Sequence, residues 1–294
     1  MSSLLLLIAS ILLTAWLTIA FKITDRLGIN NLQAIVFNYI VCVITGSMVN
    51  GGFPVQHNLF AQSWFPWALL MGCCFISLFN LAALIVQKIG VAVTTVAYKL
   101  SLVIPFVFSI YLYHEEATAL KIAGVVLALV AVWFTTRPHQ KSSQHTQVSW
   151  LLWLLPLLLF VGSGLLDATI KYVEQAYINP ANQDTYLVMA FCVAASVGIV
   201  ILAYLFITGK QKLSGTAVLA GVGIGIPNYF SIWCLMGALK GYTGNSSAII
   251  PINNMGIVLV NALVAWLVFK EKLRSMNWVG IALSLGAIAL IAFG

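Results

Sequence analysis

Long apolar runs that are nearly free of charge take up most of this chain, and they constrain its fold more than any motif does. A helix needs roughly 20 apolar residues to cross the hydrocarbon core of a bilayer. These runs are too long for the strands of a membrane barrel, so helices have to satisfy the backbone polar groups. The sequence therefore predicts an all-α membrane protein with ten transmembrane helices, at residues 3–21, 32–50, 65–87, 91–113, 118–136, 150–172, 184–208, 214–239, 245–269 and 276–293.

The composition excludes several classes of protein. Of the 294 residues, 62% are hydrophobic and only 7% are charged, whereas about a quarter of a soluble domain is charged. This balance is not that of a soluble enzyme, a nucleic-acid-binding protein or a disordered chain. We attribute the net charge of +7 to loop lysines and arginines that set membrane orientation, rather than to an acidic partner.

A polar segment divides the predicted helices into two groups of five. We place the first repeat at residues 1–136, a linker at 137–149 and the second repeat at 150–294. An odd number of helices in each half gives two related halves opposite orientations in the membrane. Three pairs of charged residues recur in order near corresponding helix ends, at offsets of 149, 152 and 156 positions: Lys22 with Lys171, Lys88 with Lys240, and Glu115 with Glu271. The pattern predicts two inverted five-helix repeats, an architecture typical of secondary transporters.

The residues at the ends of the repeats resemble a known family. The segments concerned are Ala83-Leu84 with Lys88-Ile89-Gly90, His114-Glu115-Glu116-Ala117 with Gly124, and Lys270-Glu271-Lys272-Leu273 with Gly280. They are similar to signatures of the drug/metabolite transporter superfamily, and within it of the EamA-like ten-helix transporters. Where that family has a glycine before the glutamate, this chain has His114 and Lys270. The resemblance implies a carrier of small organic solutes, often an exporter of amino acids or related metabolites, in the bacterial inner (cell) membrane.

Two charged residues lie well inside the predicted spans, away from their ends, where charge is costly and marks functional sites by default. Lys99 lies near the middle of the fourth span, and its ammonium group could bind a carboxylate or a phosphate. Its alternative role is as a partner for a helix C-terminus or a backbone carbonyl. Asp167, in the sixth span, is our candidate for a proton-coupling carboxylate. Its alternative role is an ion pair with Lys171, one turn further along the same helix.

Polar and aromatic residues deep in the spans complete the predicted substrate-binding site. Prolines release backbone carbonyls, and such breaks are tolerated where neighbouring helices or a wet cavity satisfy them. Asparagines lie beside Pro227 and just after Pro251, in the eighth and ninth spans, which occupy the same places in the second half as the third and fourth spans do in the first. Each asparagine alone could instead be a hydrogen-bonding contact between helices. The predicted substrate-binding residues, besides Lys99, are Tyr98, Asn80, Asn228, Tyr229, Asn253, Asn254, Trp16 and Trp233.

Two other function classes remain open as alternatives, a passive channel and an intramembrane enzyme. The four histidines, His57, His114, His139 and His145, lie in predicted loops or at helix ends. We interpret the cysteines as small buried hydrophobic residues: Cys42, Cys73, Cys74, Cys192 and Cys234. We therefore expect no catalytic residues, no metal and no cofactor. The expected contacts are lipid and a small-molecule substrate, in a chain that functions as a monomer.

The orientation in the membrane is left open by the sequence, because two arguments disagree. Basic residues concentrate in the loops after odd-numbered helices, which by the positive-inside rule places both termini outside. The resemblance implies that both termini are cytoplasmic.

Overall fold

A computed structural model describes residues 3–53, 59–113, 118–136, 151–178, 182–241, 246–273 and 275–293. Within these ranges the regular structure is entirely helical. Six helices are long and apolar enough to cross a membrane, and four further described segments are shorter apolar helices. The fold is therefore that of a helical membrane protein.

Eleven α-helices and one short 3₁₀ turn, Leu59–Ala61, make up the described part of the chain. Their bounds follow the predicted runs closely, although the first and sixth predicted spans continue further, to Arg26 and Tyr177. The helices are α1 Ser3–Arg26, α2 Asn31–Val49, α3 Phe65–Lys88, α4 Val91–Leu100, α5 Val103–Tyr113, α6 Ala119–Thr136, α7 Leu151–Tyr177, α8 Gln183–Ile207, α9 Gly215–Gly241, α10 Ser246–Leu267 and α11 Ser275–Phe293. The predicted linker, 137–149, lies outside the described residues.

The fourth predicted span is not one helix, which corrects the prediction of a continuous run over 91–113. It consists of α4 and α5, which are separated at Ser101 and Leu102. Pro105 has no N–H group to donate to the carbonyl of Ser101. That carbonyl accepts instead from the backbone N–H of Ile104, at 2.9 Å, and the Ser101 hydroxyl donates to the Tyr98 carbonyl at 2.6 Å. Local bonds of shorter span thus replace the α-helical ladder at this break.

The chain forms two compact units, and each unit takes segments from both halves of the sequence. Unit 1 comprises Met1–Lys22, Leu81–Asp167 and Ser231–Gly294. Unit 2 comprises Ile23–Asn80 and Ala168–Phe230. The division into sequence repeats is a separate question and stays a prediction.

In unit 1, small residues allow helices to approach closely. A Cβ at Gly124 of α6 would lie 2.8 Å from Ile291 of α11, and a Cβ at Gly286 of α11 would lie 3.4 Å from Leu127 of α6. As the residue number rises along α6 it falls along α11, so the two helices are antiparallel. Close approach through glycine is how helices associate in lipid, where the hydrophobic effect does not drive them together.

In unit 2, α2 packs against both α8 and α9. A Cβ at Gly198 of α8 would lie 2.5 Å from Val36, and one at Gly46 of α2 would lie 3.0 Å from Val188, so α2 and α8 are antiparallel. The same Cβ at Gly46 would lie 2.9 Å from the ring of Tyr229 in α9. At the start of α2, the buried Gln33 amide donates to the carbonyl of Lys212 at 2.9 Å and thereby holds the segment between α8 and α9.

Candidate functional site

Lys99 and Asp167 belong to the same compact unit, and Asp167 follows Gly164, which packs against the end of α4. Lys99 lies in the last turn of α4, where the carbonyl end of the helix dipole favours a cation. Its Nζ atom is 5.1 Å from the ring centroid of Tyr98, within the range of a cation–π contact. Of the predicted site residues, the structure thus brings together Lys99, Tyr98 and Asp167.

Close packing of α7 against the α4–α5 break explains why Asp167 is near. A Cβ at Gly164 would lie 2.5 Å from Cδ1 of Ile104 and 2.8 Å from the carbonyl oxygen of Ser101. Only glycine allows this approach without displacement of the neighbours. Asp167 follows Gly164 by three residues, so it stands on nearly the same face of α7. A charged pair therefore lies beside an irregular stretch of backbone within an apolar helical unit.

Helix α4 is held on α10 by a buried polar contact that the sequence analysis did not identify. The Asn261 amide donates to the hydroxyl of Thr95 at 2.8 Å, and both side chains are buried. The Oδ1 atom of Asn261 has no hydrogen-bond partner in the described part of the chain. Neither residue has a sequence signal beyond being polar in an apolar run, which is why they were missed.

Four further predicted site residues lie in unit 1. Asn253 is only 3% exposed, and its Oδ1 atom has no hydrogen-bond partner among the described residues. Asn254 is half-buried. Trp16 and Trp233 are 39% and 46% exposed, which is more than expected for residues predicted to lie deep in the spans.

The remaining three predicted residues lie in unit 2, where the asparagines have different environments. The Asn80 amide donates to the carbonyl of Ile76, four residues earlier in its own helix, at 2.8 Å. The Asn228 amide instead crosses between helices and donates to Oδ1 of Asn38 at 3.1 Å. Tyr229 is buried and contacts Phe230, with ring centroids 5.6 Å apart. That all ten predicted residues serve one site stays a prediction.

Asn38 is a further residue that the sequence analysis missed, and Cys42 was interpreted incompletely. The Cys42 thiol lies 3.7 Å from Oδ1 of Asn38 and 3.4 Å from the carbonyl oxygen of Gly225, so it belongs to a polar cluster rather than to a purely apolar core. Cys73 is exposed, which corrects its interpretation as a buried residue. The Nδ2 atom of Asn38 is buried and has no partner in the described ranges.

Among the described residues, no group of three or more His, Cys, Asp or Glu side chains could hold a metal ion. All four histidines lie outside the described ranges.

Comparison with known proteins supports the fold and leaves the activity open. The chain is 29% identical over 287 residues to an uncharacterized protein of Haemophilus influenzae (strain ATCC 51907 / DSM 11121 / KW20 / Rd), covering 96% of this chain and 95% of that protein. A protein of known crystal structure matches with a TM-score of 0.59 and 16% identity, over 98% of this chain and 95% of its own. No protein-family model matches the chain. The likeness to a solved structure extends over nearly the whole chain and concerns the fold alone.

Proposed function

We propose that this protein is a secondary transporter of small organic metabolites, namely amino acids or related carboxylate-bearing solutes, and that it works by alternating access. The observation that carries the proposal is the placement of Lys99 and Asp167 in one apolar unit, on either side of the contact between α7 and a broken helix. Transporters place substrate and coupling-ion sites at discontinuous helices near the bilayer midplane. Lys99 stands at the ninth position of the candidate span Val91–Phe108, which is close to its centre.

The packing of helices within each unit supports the inverted-repeat part of the proposal. With ten spans, α2 corresponds to α8, α4 together with α5 to α10, and α6 to α11. In each of these pairs the corresponding helices contact one another, and they run antiparallel. In inverted repeats, an axis in the membrane plane relates the two halves, so that corresponding helices run in opposite directions. The antiparallel pairs agree with this requirement.

The residues have distinct roles in this proposal. The Lys99 ammonium binds the carboxylate of the solute, and the Tyr98 ring packs against it. Asp167 takes up and releases the coupling proton, and its interaction with Lys99 links proton binding to solute binding.

The protein is a multi-pass protein of the cell membrane, and the resemblance to EamA-like transporters has support in Lys270. This residue stands where that family has a glycine, and it adopts a left-handed φ of 53°.

The first test is the thermal stability of the purified protein against a panel of acidic, zwitterionic, neutral and cationic metabolites. We expect acidic or zwitterionic compounds to stabilise the wild type and not Lys99→Gln, because the variant keeps the size of the side chain but loses its positive charge. Lys88→Gln is the matched control, since Lys88 is exposed at the end of α3. If only neutral or cationic compounds stabilise the protein, and they stabilise the wild type and Lys99→Gln alike, an anion-binding role for Lys99 is contradicted.

The second test separates a proton-coupled carrier from a passive pore. We expect Asp167→Asn, reconstituted in vesicles, to lose solute accumulation driven by a proton gradient, because the amide cannot exchange a proton. Exchange of labelled for unlabelled solute, in the absence of a gradient, should persist and should saturate. Accumulation at the wild-type level in the variant would remove Asp167 from the mechanism, and non-saturating flux would indicate a channel.

A further inference from the structure

The N-terminus of α4 obtains its cap from a different part of the chain. Gly90 occupies the N-cap position with φ 133°, and it has no side chain that could accept a hydrogen bond from the first turn. The carboxylate of Glu271 does so instead, since its Oε1 atom accepts from the backbone N–H of Val91 at 3.0 Å. The N–H groups of the first helical turn have no partner within the helix. A negative charge that accepts from one of them, at the positive end of the helix dipole, is therefore favourable.

The backbone after α10 directs Glu271 towards this position. Lys270 adopts the left-handed conformation, and the backbone N–H of Glu271 donates a hydrogen bond to the carbonyl of Ala265 at 2.9 Å. On the other side of the contact, the absence of a side chain at Gly90 is required. A Cβ there would lie 2.8 Å from Oε2 and 2.9 Å from Oε1 of Glu271.

Two contacts therefore attach α4 to α10 and to the segment that follows it. Val91 bonds to Glu271, and Thr95, one turn further along α4, bonds to Asn261 of α10. Lys99 comes one turn after Thr95, so the three residues follow each other along one side of α4. Because α4 ends at the Ser101 break, no continuous helix connects it rigidly to α5. The position of Lys99 then depends on how α4 is attached to α10.

We propose that Glu271 is a positioning residue for Lys99, which fixes the start of α4 and thereby the place of the ammonium group at its other end. The role assigned to Lys99 rests on the proposed function, whereas the anchoring of α4 can be tested without any solute. Glu271 touches no solute in this proposal and acts only through α4.

The test uses variants on both sides of the contact. Glu271→Ala removes the acceptor, Gly90→Ala displaces it, and Glu271→Gln keeps an oxygen acceptor without the charge. Lys272→Ala is the control, since Lys272 lies exposed in the same segment. Each variant is made in a Ser101→Cys background, because Ser101 is buried at the end of α4. The rate at which N-ethylmaleimide alkylates position 101 in membranes is then measured, with the peptide resolved by mass spectrometry from the native cysteines.

We expect alkylation of position 101 to be about tenfold faster in Glu271→Ala and in Gly90→Ala. Both variants lose a charge-assisted hydrogen bond, and the free energy of one such bond corresponds to about tenfold in the population of the open state. Glu271→Gln should give a smaller increase, of about two- to fivefold, because it preserves a bond to Val91 and loses the charge at the helix N-terminus. Lys272→Ala should leave the rate unchanged. If Glu271→Ala does not express, Glu271→Leu takes its place, because it also lacks an acceptor, whereas an alanine at Gly90 is strained by its φ of 133° even without displacing Glu271. Unchanged alkylation in Gly90→Ala and Glu271→Ala, or an equal increase in Lys272→Ala, overturns the anchoring role.

A second readout connects the anchor to Lys99. L-Alanine serves as the zwitterionic probe, and its stabilisation of the folded protein is compared in the wild type, Glu271→Ala, Lys272→Ala and Lys99→Gln. We expect Glu271→Ala to reduce the response severalfold, Lys272→Ala to keep it and Lys99→Gln to abolish it. An undiminished response in Glu271→Ala would mean that Glu271 does not act through Lys99. If L-alanine fails to stabilise the wild type, the choice of amino acids as substrate is in doubt, while the alkylation rates still decide the anchoring role.

Discussion

Lys270 shows how a single backbone angle is determined by tertiary contacts rather than by residue preference. Its φ of 53° is left-handed, a conformation that costs an L-amino acid roughly 1–2 kcal/mol and costs glycine almost nothing. The turn is retained because it brings Glu271 to the N-terminus of α4.

At this residue we predict that Lys270→Gly raises the free energy of unfolding by about 1 kcal/mol, since relief of the strain outweighs the greater freedom of glycine in the unfolded chain. Thermal unfolding in detergent measures the change. The control is Lys272→Gly, because within the described chain Lys270 is the one non-glycine residue with a positive φ. That control should be neutral or destabilising, and equal effects of the two variants would refute the explanation.

The asparagines show why residue type alone assigns site residues poorly. Asn80 and Asn228 have the same sequence signal, a polar side chain within an apolar run, yet one bonds within its own helix and the other bonds to a second helix. The acceptor of the Asn228 bond is the amide oxygen of Asn38, which lies 190 positions from Asn228 in the sequence. A buried amide pair of this kind stabilises helix association and leaves less capacity for a solute. The role of Asn228 in binding therefore needs its own test, whereas Lys99 and Asp167 lie in one compact unit.

At the scale of elements, the contact between α7 and the α4–α5 break determines the geometry of the charged pair. The break itself had a visible signal in Pro105, but a proline near the start of a helix is tolerated, and hydropathy does not distinguish a continuous helix from two short ones. The prediction of one helix over 91–113 was wrong for this reason.

We predict that Gly164→Ala disturbs this contact. Its Cβ would lie within 2.8 Å of Ser101 and Ile104, and overpacking of this degree costs about 1–3 kcal/mol of stability. The stabilisation by carboxylate-bearing compounds should also fall, because Asp167 and Lys99 are displaced from each other. Gly223→Ala in α9 is the matched control, since a Cβ there would meet nothing within 4 Å. Unfolding and solute titration of the two variants are compared, and similar behaviour would argue against a special role for Gly164.

At the scale of the whole molecule, the division into units recurs in the two halves of the chain. The borders fall at Lys22 and Asp167, near the ends of the first and sixth predicted spans, and at Asn80 and Phe230, within the third and eighth. The helices that correspond under the proposed repeats are thus divided at corresponding places. A repeated division of this kind is expected from two copies of one architecture.

We predict that reporters fused to the two termini report the same side of the membrane, because ten spans are an even number. A reporter inserted in the predicted linker, residues 137–149, should report the opposite side, since five spans precede it. A pair of reporters that fluoresce or show phosphatase activity on opposite sides provides the measurement. Termini on different sides would contradict the count of ten spans. The side on which both termini lie also decides between the positive-inside argument and the family resemblance.

The sequence by itself determined the class of protein and the approximate bounds of its helices. Apolar length and the demand for satisfied backbone groups are local properties, and lipid leaves a helix as the solution for each run. It also pointed to Lys99 and Asp167, because charge in an apolar run is costly wherever it lies. Only the tertiary structure decided which polar groups meet: Thr95 with Asn261, Asn38 with Asn228, and Val91 with Glu271. The partners in these bonds are 166 to 190 positions apart, and their meeting depends on helix packing, which hydropathy and spacing do not encode.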